Sequence, residues 1–148
     1  MRLCSEGRER HIYYKEEKMR IAIIDSGVDK NNNHLKKLDI QGCSLRVCDG
    51  CIEKKDEFSD ILGHGTAIFY LINKFTKSDY IYNFKVFFDD MDFKMTELNQ
   101  ILDYIYSNYN FDIINISLGA IYPENLNSLE NICKNFYYNK KTIIIAAF

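Results

Sequence analysis

Arg20-Ile21-Ala22-Ile23-Ile24-Asp25-Ser26-Gly27 is the stretch that decides the fold. Its apolar run does not alternate with polar residues, so it reads as a strand buried on both faces. Asp-Ser-Gly behind it supplies the residues of a tight turn. The same pattern returns at Ile113–Ile116, ended by Ser117-Leu118-Gly119, and at Thr142–Ala147; Tyr80–Phe87 alternates in part and reads as a fourth strand. Three helical stretches lie between them. The first opens at Gly63-His64-Gly65-Thr66 and runs through Ala67–Ile72, apolar nearly all round and so predicted to be buried. In the second, Thr96 is the predicted cap, Glu97 suits the first turn, and Leu98, Ile101, Leu102, Ile105 and Tyr109 share a face. The third follows Pro123 and aligns Leu126, Leu129, Ile132, Cys133 and Phe136. Gln41–Asp60 reads as strand edge plus loop. Strands alternating with helices predict an α/β domain with a mainly parallel sheet and helices on both faces. The domain is placed at residues 20–148, behind a polar, non-periodic extension at 1–19.

The composition narrows the classes of function. The 148 residues carry 19 Lys+Arg and 21 Asp+Glu, a net charge of −2, with 47% apolar residues and one Pro. That suffices for one core, and it lacks the basic excess that nucleic acid or an acidic membrane surface requires. No apolar run approaches the ~20 residues of a membrane span. Arg2, Glu6, Arg8, Glu9, Arg10, Glu16 and Glu17 interrupt any signal-peptide core, so the expected compartment is the cytoplasm. Five cysteines, Cys4, Cys43, Cys48, Cys51 and Cys133, are an odd number and favour free thiols. Cys43, Cys48 and Cys51 also have the spacing of a metal knuckle, which leaves a cysteine-ligated metal protein as one alternative.

In parallel α/β sheets, chemistry collects where the carboxyl ends of strands meet loops. Asp25 and Ser117 stand at such points, and His64 opens a helix. An Asp and a His make two-thirds of a catalytic triad: imidazole is the base that a hydroxyl nucleophile needs. A carboxylate on its other nitrogen fixes the tautomer. Gly63 and Gly65 allow close approach around His64, and Thr66 can satisfy polar groups at the helix start. His11 and His34 read as structural or exposed.

Asp25-Ser26-Gly27-Val28-Asp29 resembles the Asp signature of the subtilisin-like serine proteases, and Asp60-x-x-Gly63-His64-Gly65-Thr66 resembles their His signature. Asn115-Ile116-Ser117-Leu118-Gly119 is similar to the strand that lines their substrate cleft. His34-Leu35 fits their loop after the Asp turn, and Ala146-Ala147 resembles the strand leading to their oxyanion Asn. Gly-His-Gly-Thr arises by chance in about one chain in a thousand of this length, so the ordered set is specific.

The resemblance implies peptide hydrolysis through an acyl-enzyme, with Asp25 orienting His64 and His64 serving the serine as base. Ser117, Leu118 and Gly119 would bind the backbone of a peptide or protein substrate. It implies no cofactor; calcium sites occur in the family, but no ligand loop is readable here. None of Ser5, Ser26, Ser44, Ser59, Ser78, Ser107, Ser117 and Ser128 sits in a Gly-x-Ser context before a helix. The chain is therefore expected to be the N-terminal part of the domain, ending before the nucleophile and inactive alone. The alternatives are an inactive remnant or a split subunit that binds peptide or a second chain supplying the missing half.

Overall fold

The computed structural model describes residues 18–76, 78, 80–88, 94–117 and 126–146. Strand β1 is Arg20–Asp25, and β2 (Gln41–Cys48) and β3 (Cys51–Lys55) follow. Helix α1 is His64–Thr76, β4 is Tyr80–Lys85, and α2 is Met95–Asn108. The last elements are β5 (Ile113–Ile116), α3 (Leu126–Lys140) and β6 (Ile143–Ala146). The six strands form one sheet in the order β3-β2-β4-β1-β5-β6. All neighbours are parallel except β2 and β3. The predicted α/β architecture is the one observed.

β1 lies in the middle of the sheet, and its uninterrupted apolar run matches that place. Ile21 and Ile23 belong to a core with Val28, Leu35, Ile40, Phe58, Ile81 and Phe69 of α1. Ala22 and Ile24 face the opposite core, with Leu98, Ile101, Leu102 and Ile105 of α2 and Ile132 and Phe136 of α3. Successive side chains of a strand leave opposite faces, so β1 seats helices on both sides.

Three local expectations are corrected. Gln41–Asp60 is not strand edge plus loop: β2 and β3 form an antiparallel hairpin from Ser44↔Lys55 to Cys48↔Cys51. Its turn, Asp49-Gly50, has φ of +49° and +75°. Two positive φ values in a two-residue loop match the twist of the strands, the reason Asp-Gly favours hairpins. Helix α1 is not buried all round: Phe69 is buried, whereas Leu71 and Phe75 are 48% and 75% exposed. Only one face meets the sheet, whatever the composition of the other. Thr96 lies inside α2; the N-cap is Lys94, which makes no side-chain capping bond. Pro123 lies outside the described residues.

Candidate active site

Asp25 ends β1 and is 1% exposed. Its backbone carbonyl accepts a hydrogen bond from the Val86 N–H at 2.8 Å, which ties the strand end to the residue after β4. Gly27, two residues on, has φ of +104°, and a β-carbon there would lie 2.3 Å from the Phe58 carbonyl oxygen. Only glycine lets the chain turn this tightly beneath the 56–60 loop. The Val28 N–H donates to that same Phe58 oxygen at 2.9 Å.

Helix α1 brings His64 over this turn. The His64 Nδ1 lies 2.8 Å from Oδ1 and 3.0 Å from Oδ2 of Asp25. With the carboxylate ionised, Nδ1 carries the proton and donates it, which leaves the lone pair on Nε2. The carboxylate is enclosed while the imidazole side chain is 45% exposed. A buried acceptor holding a half-exposed ring is the arrangement that lets a histidine take a proton from an incoming group.

Two residues that sequence reasoning left without a role build this geometry. The Ser26 hydroxyl donates to Asp60 Oδ1 at 2.9 Å, with Asp25 Oδ1 a second acceptor at 3.2 Å. It also accepts the Gly65 N–H at 2.9 Å. The other oxygen of Asp60 accepts the Thr66 N–H at 2.9 Å and its hydroxyl at 2.6 Å. Oδ1 takes the N–H groups of Leu62 and Gly63 as well, at 3.0 and 2.9 Å. Ser26 and Asp60 thus satisfy N–H groups of the first turn of α1 that have no partner within the helix. Burial pushes the Asp60 carboxyl up. Donation from the Thr66 hydroxyl and N–H, the Gly63 N–H and the Ser26 hydroxyl outweighs it, holding Asp60 below the usual carboxylate range. The signal available in the sequence was the Asp-x-x-Gly spacing just ahead of a helix, a capping pattern.

Thr66 also accepts the Asp29 N–H at 2.9 Å, so it does satisfy polar groups around the helix start, as predicted. Buried Lys85, at the level of Asp25 in the ladder, donates from Nζ to the Ser59 carbonyl at 2.5 Å and pins the 56–60 loop.

Ser117 follows β5 and lies one residue beyond the Ile24↔Ile116 pair, hence at the level of Asp25. Its hydroxyl accepts from Asn115 Nδ2 at 2.7 Å. Leu118 and Gly119 lie outside the described residues. His34 is exposed, its ring 5.5 Å from that of Tyr70; His11 is outside the described residues. Cys43, Cys48 and Cys51 do not converge. Cys43 is buried in the core beneath α2, and the strand alternation turns Cys48 to the other face, with Cys51 directly opposite. Among the described residues, no three His, Cys, Asp or Glu side chains are placed to hold a metal ion. No helix among them is long and apolar enough to cross a membrane.

The sequence model described as the subtilase family matches residues 16–148. No curated protein matches the chain.

Proposed function

Since the chain belongs to the subtilase family, we propose that it carries the acid–base half of a serine endopeptidase, with Asp25 and His64 as two members of an Asp-His-Ser triad. The observation that carries the reading is the Nδ1 contact of His64 with a buried carboxylate at 2.8 Å. His64 Nε2 takes the proton of the attacking serine as its oxygen bonds to the peptide carbonyl carbon. It then gives that proton to the leaving amine, and the acyl-enzyme is hydrolysed by the same relay with water. Asp25 holds the ring in the required tautomer and stabilises the imidazolium while it exists. Ser26 is not the attacking group, because it is 1% exposed and its hydroxyl is committed to Asp60 and Gly65.

The substrate is a peptide or protein in extended form, lying along the end of β5, where the backbone of Ser117, Leu118 and Gly119 pairs with it as an added strand. Among the described residues β6 is the outermost strand, and Ile143 and Ile145 on one of its faces are 54% and 52% exposed, which supports a partner segment packed over that face.

Nitrogen-detected NMR of the imidazoles tests the couple. Neutral His64 is expected as the Nδ1–H tautomer with a strongly deshielded proton, and Asp25→Asn is expected to move or abolish that signal. A neutral Nε2–H tautomer in the wild type would remove the basis of this assignment.

A further inference from the structure

The register of the β2–β3 hairpin places Cys48 directly opposite Cys51, across the two-residue turn Asp49-Gly50. Both are exposed and both are free. Directly opposed residues of an antiparallel ladder have Cα atoms ~4.5 or ~5.5 Å apart, and their side chains leave the same face. Both separations fall inside the ~4.4–6.8 Å that a disulfide spans. Their Cβ atoms, ~4.5–5.5 Å apart in such pairs, must be drawn in toward ~3.8 Å, so a bridge closes with some strain. Strained, exposed disulfides are the readily reduced ones. The other described cysteines are placed differently. Cys43 is buried on the opposite face of β2, and Cys133 lies half-buried on α3.

From this we infer that Cys48 and Cys51 form a dithiol–disulfide site that closes by exchange with a low-molecular-weight disulfide of the oxidised glutathione class. The thiolate of one cysteine attacks a sulfur of the small disulfide, whose S–S bond breaks and releases one small thiolate. The second cysteine, also as thiolate, attacks the protein sulfur of the mixed disulfide and releases the other. The two protein thiols give up two electrons and two protons, and the small disulfide leaves as two thiols. The site stands at the catalytic end of the sheet. β2, β4 and β1 are parallel, Ser44, Lys85 and Asp25 share one level, and Cys48 lies four residues past Ser44, about 13 Å further along. The inference does not depend on the peptidase reading.

The test treats the full chain with excess oxidised glutathione, quenches with acid, and reads intact mass and cysteine-containing peptides. The expected product has lost two hydrogens, joins Cys48 to Cys51, carries no glutathione on either, and reopens in excess reduced glutathione. Cys48→Ser and Cys51→Ser are each expected to stop at the mixed disulfide, with glutathione retained on the remaining thiol. Stable glutathione adducts on both cysteines of the wild type would overturn the inference. So would a bridge from either one to Cys4, Cys43, Cys133 or a second copy of the chain.

Discussion

Gly65 lies so close to Gly27 that a β-carbon on it would stand 2.3 Å from the Gly27 carbonyl oxygen. The same carbon would be 3.1 Å from Asp25 Oδ1. Helix α1 reaches the Asp25 turn only because its second residue has no side chain. Ala in place of Gly inside a helix ordinarily stabilises by ~1 kcal/mol. Here Gly65→Ala is expected to destabilise by about 1–3 kcal/mol, the usual cost of overpacking, and to separate His64 from Asp25. Urea unfolding gives the sign, and a stabilised variant would refute the close approach.

Asp60 yields a pH dependence. Its native carboxyl sits below the ordinary carboxylate range, so the unfolded chain binds the proton more readily. The stability it contributes is complete above the ordinary carboxylate pKa of ~3.9 and is lost as pH falls through the native value. Asp60→Asn presents an amide to groups that all donate, and is expected to cost about 2 kcal/mol at neutral pH. The difference between variant and wild type should shrink in acid. An unchanged difference across the acid range, measured by denaturant unfolding, would separate Asp60 from this linkage.

The cysteines are expected to divide by burial. Cys48 and Cys51 should react rapidly with an aromatic disulfide reagent in the native chain, and Cys43 only on unfolding. Burial pushes the Cys43 thiol up, which lowers its thiolate fraction further, although the Tyr82 hydroxyl partly offsets this. A sequence reading of all three as loop thiols predicts one common fast rate. Stopped-flow absorbance distinguishes one fast class from two.

Among the described residues β6 is an edge strand, carrying two half-exposed isoleucines, Ile143 and Ile145, while Ile144 packs on the core. Unpaired N–H and C=O groups beside apolar side chains template intermolecular pairing. A polypeptide of these 148 residues is expected to self-associate, and Ile145→Lys to suppress this without unfolding it. A monodisperse wild-type monomer in sedimentation velocity would refute the expectation.

The same polypeptide is expected to hydrolyse no peptide and to resist a fluorophosphonate probe. None of its serines sits in a Gly-x-Ser context before a helix, since Gly42-Cys43-Ser44 lies within β2, and losing the nucleophile alone costs a serine peptidase about 10⁶-fold in kcat. Labelling abolished by His64→Ala would show that a serine within these residues serves as the nucleophile.

Strands β1, β5 and β6 were readable because each is a short apolar run whose nature is local. Ile21–Ile24 and Ile113–Ile116 lie where their sequence places them, within a residue. Asp25 and His64 were readable because tight turns and helix starts impose glycine at fixed neighbouring positions. The Asp49-Gly50 hairpin was missed although its turn residues are explicit, because charged residues along β3 mask the strand pattern. Those side chains face water at the edge of the sheet, where alternation carries little weight.

Sequence by itself determined four of the six strands, β1, β4, β5 and β6, and the three helices, and that Asp25 ends one element while His64 begins another. Turn chemistry and hydrophobic period act over a few residues and need no partner. Tertiary structure alone decided that the two meet at 2.8 Å, and that Ser26 and Asp60, 34 residues apart, share a hydrogen bond beneath them. It also decided that Cys43 turns away from Cys48 and Cys51, and that β6 stands at an edge among the described residues. Those outcomes depend on the register and order of strands joined by long crossovers. Register is set by the sum of core contacts on both faces of the sheet, which no local stretch of the chain contains.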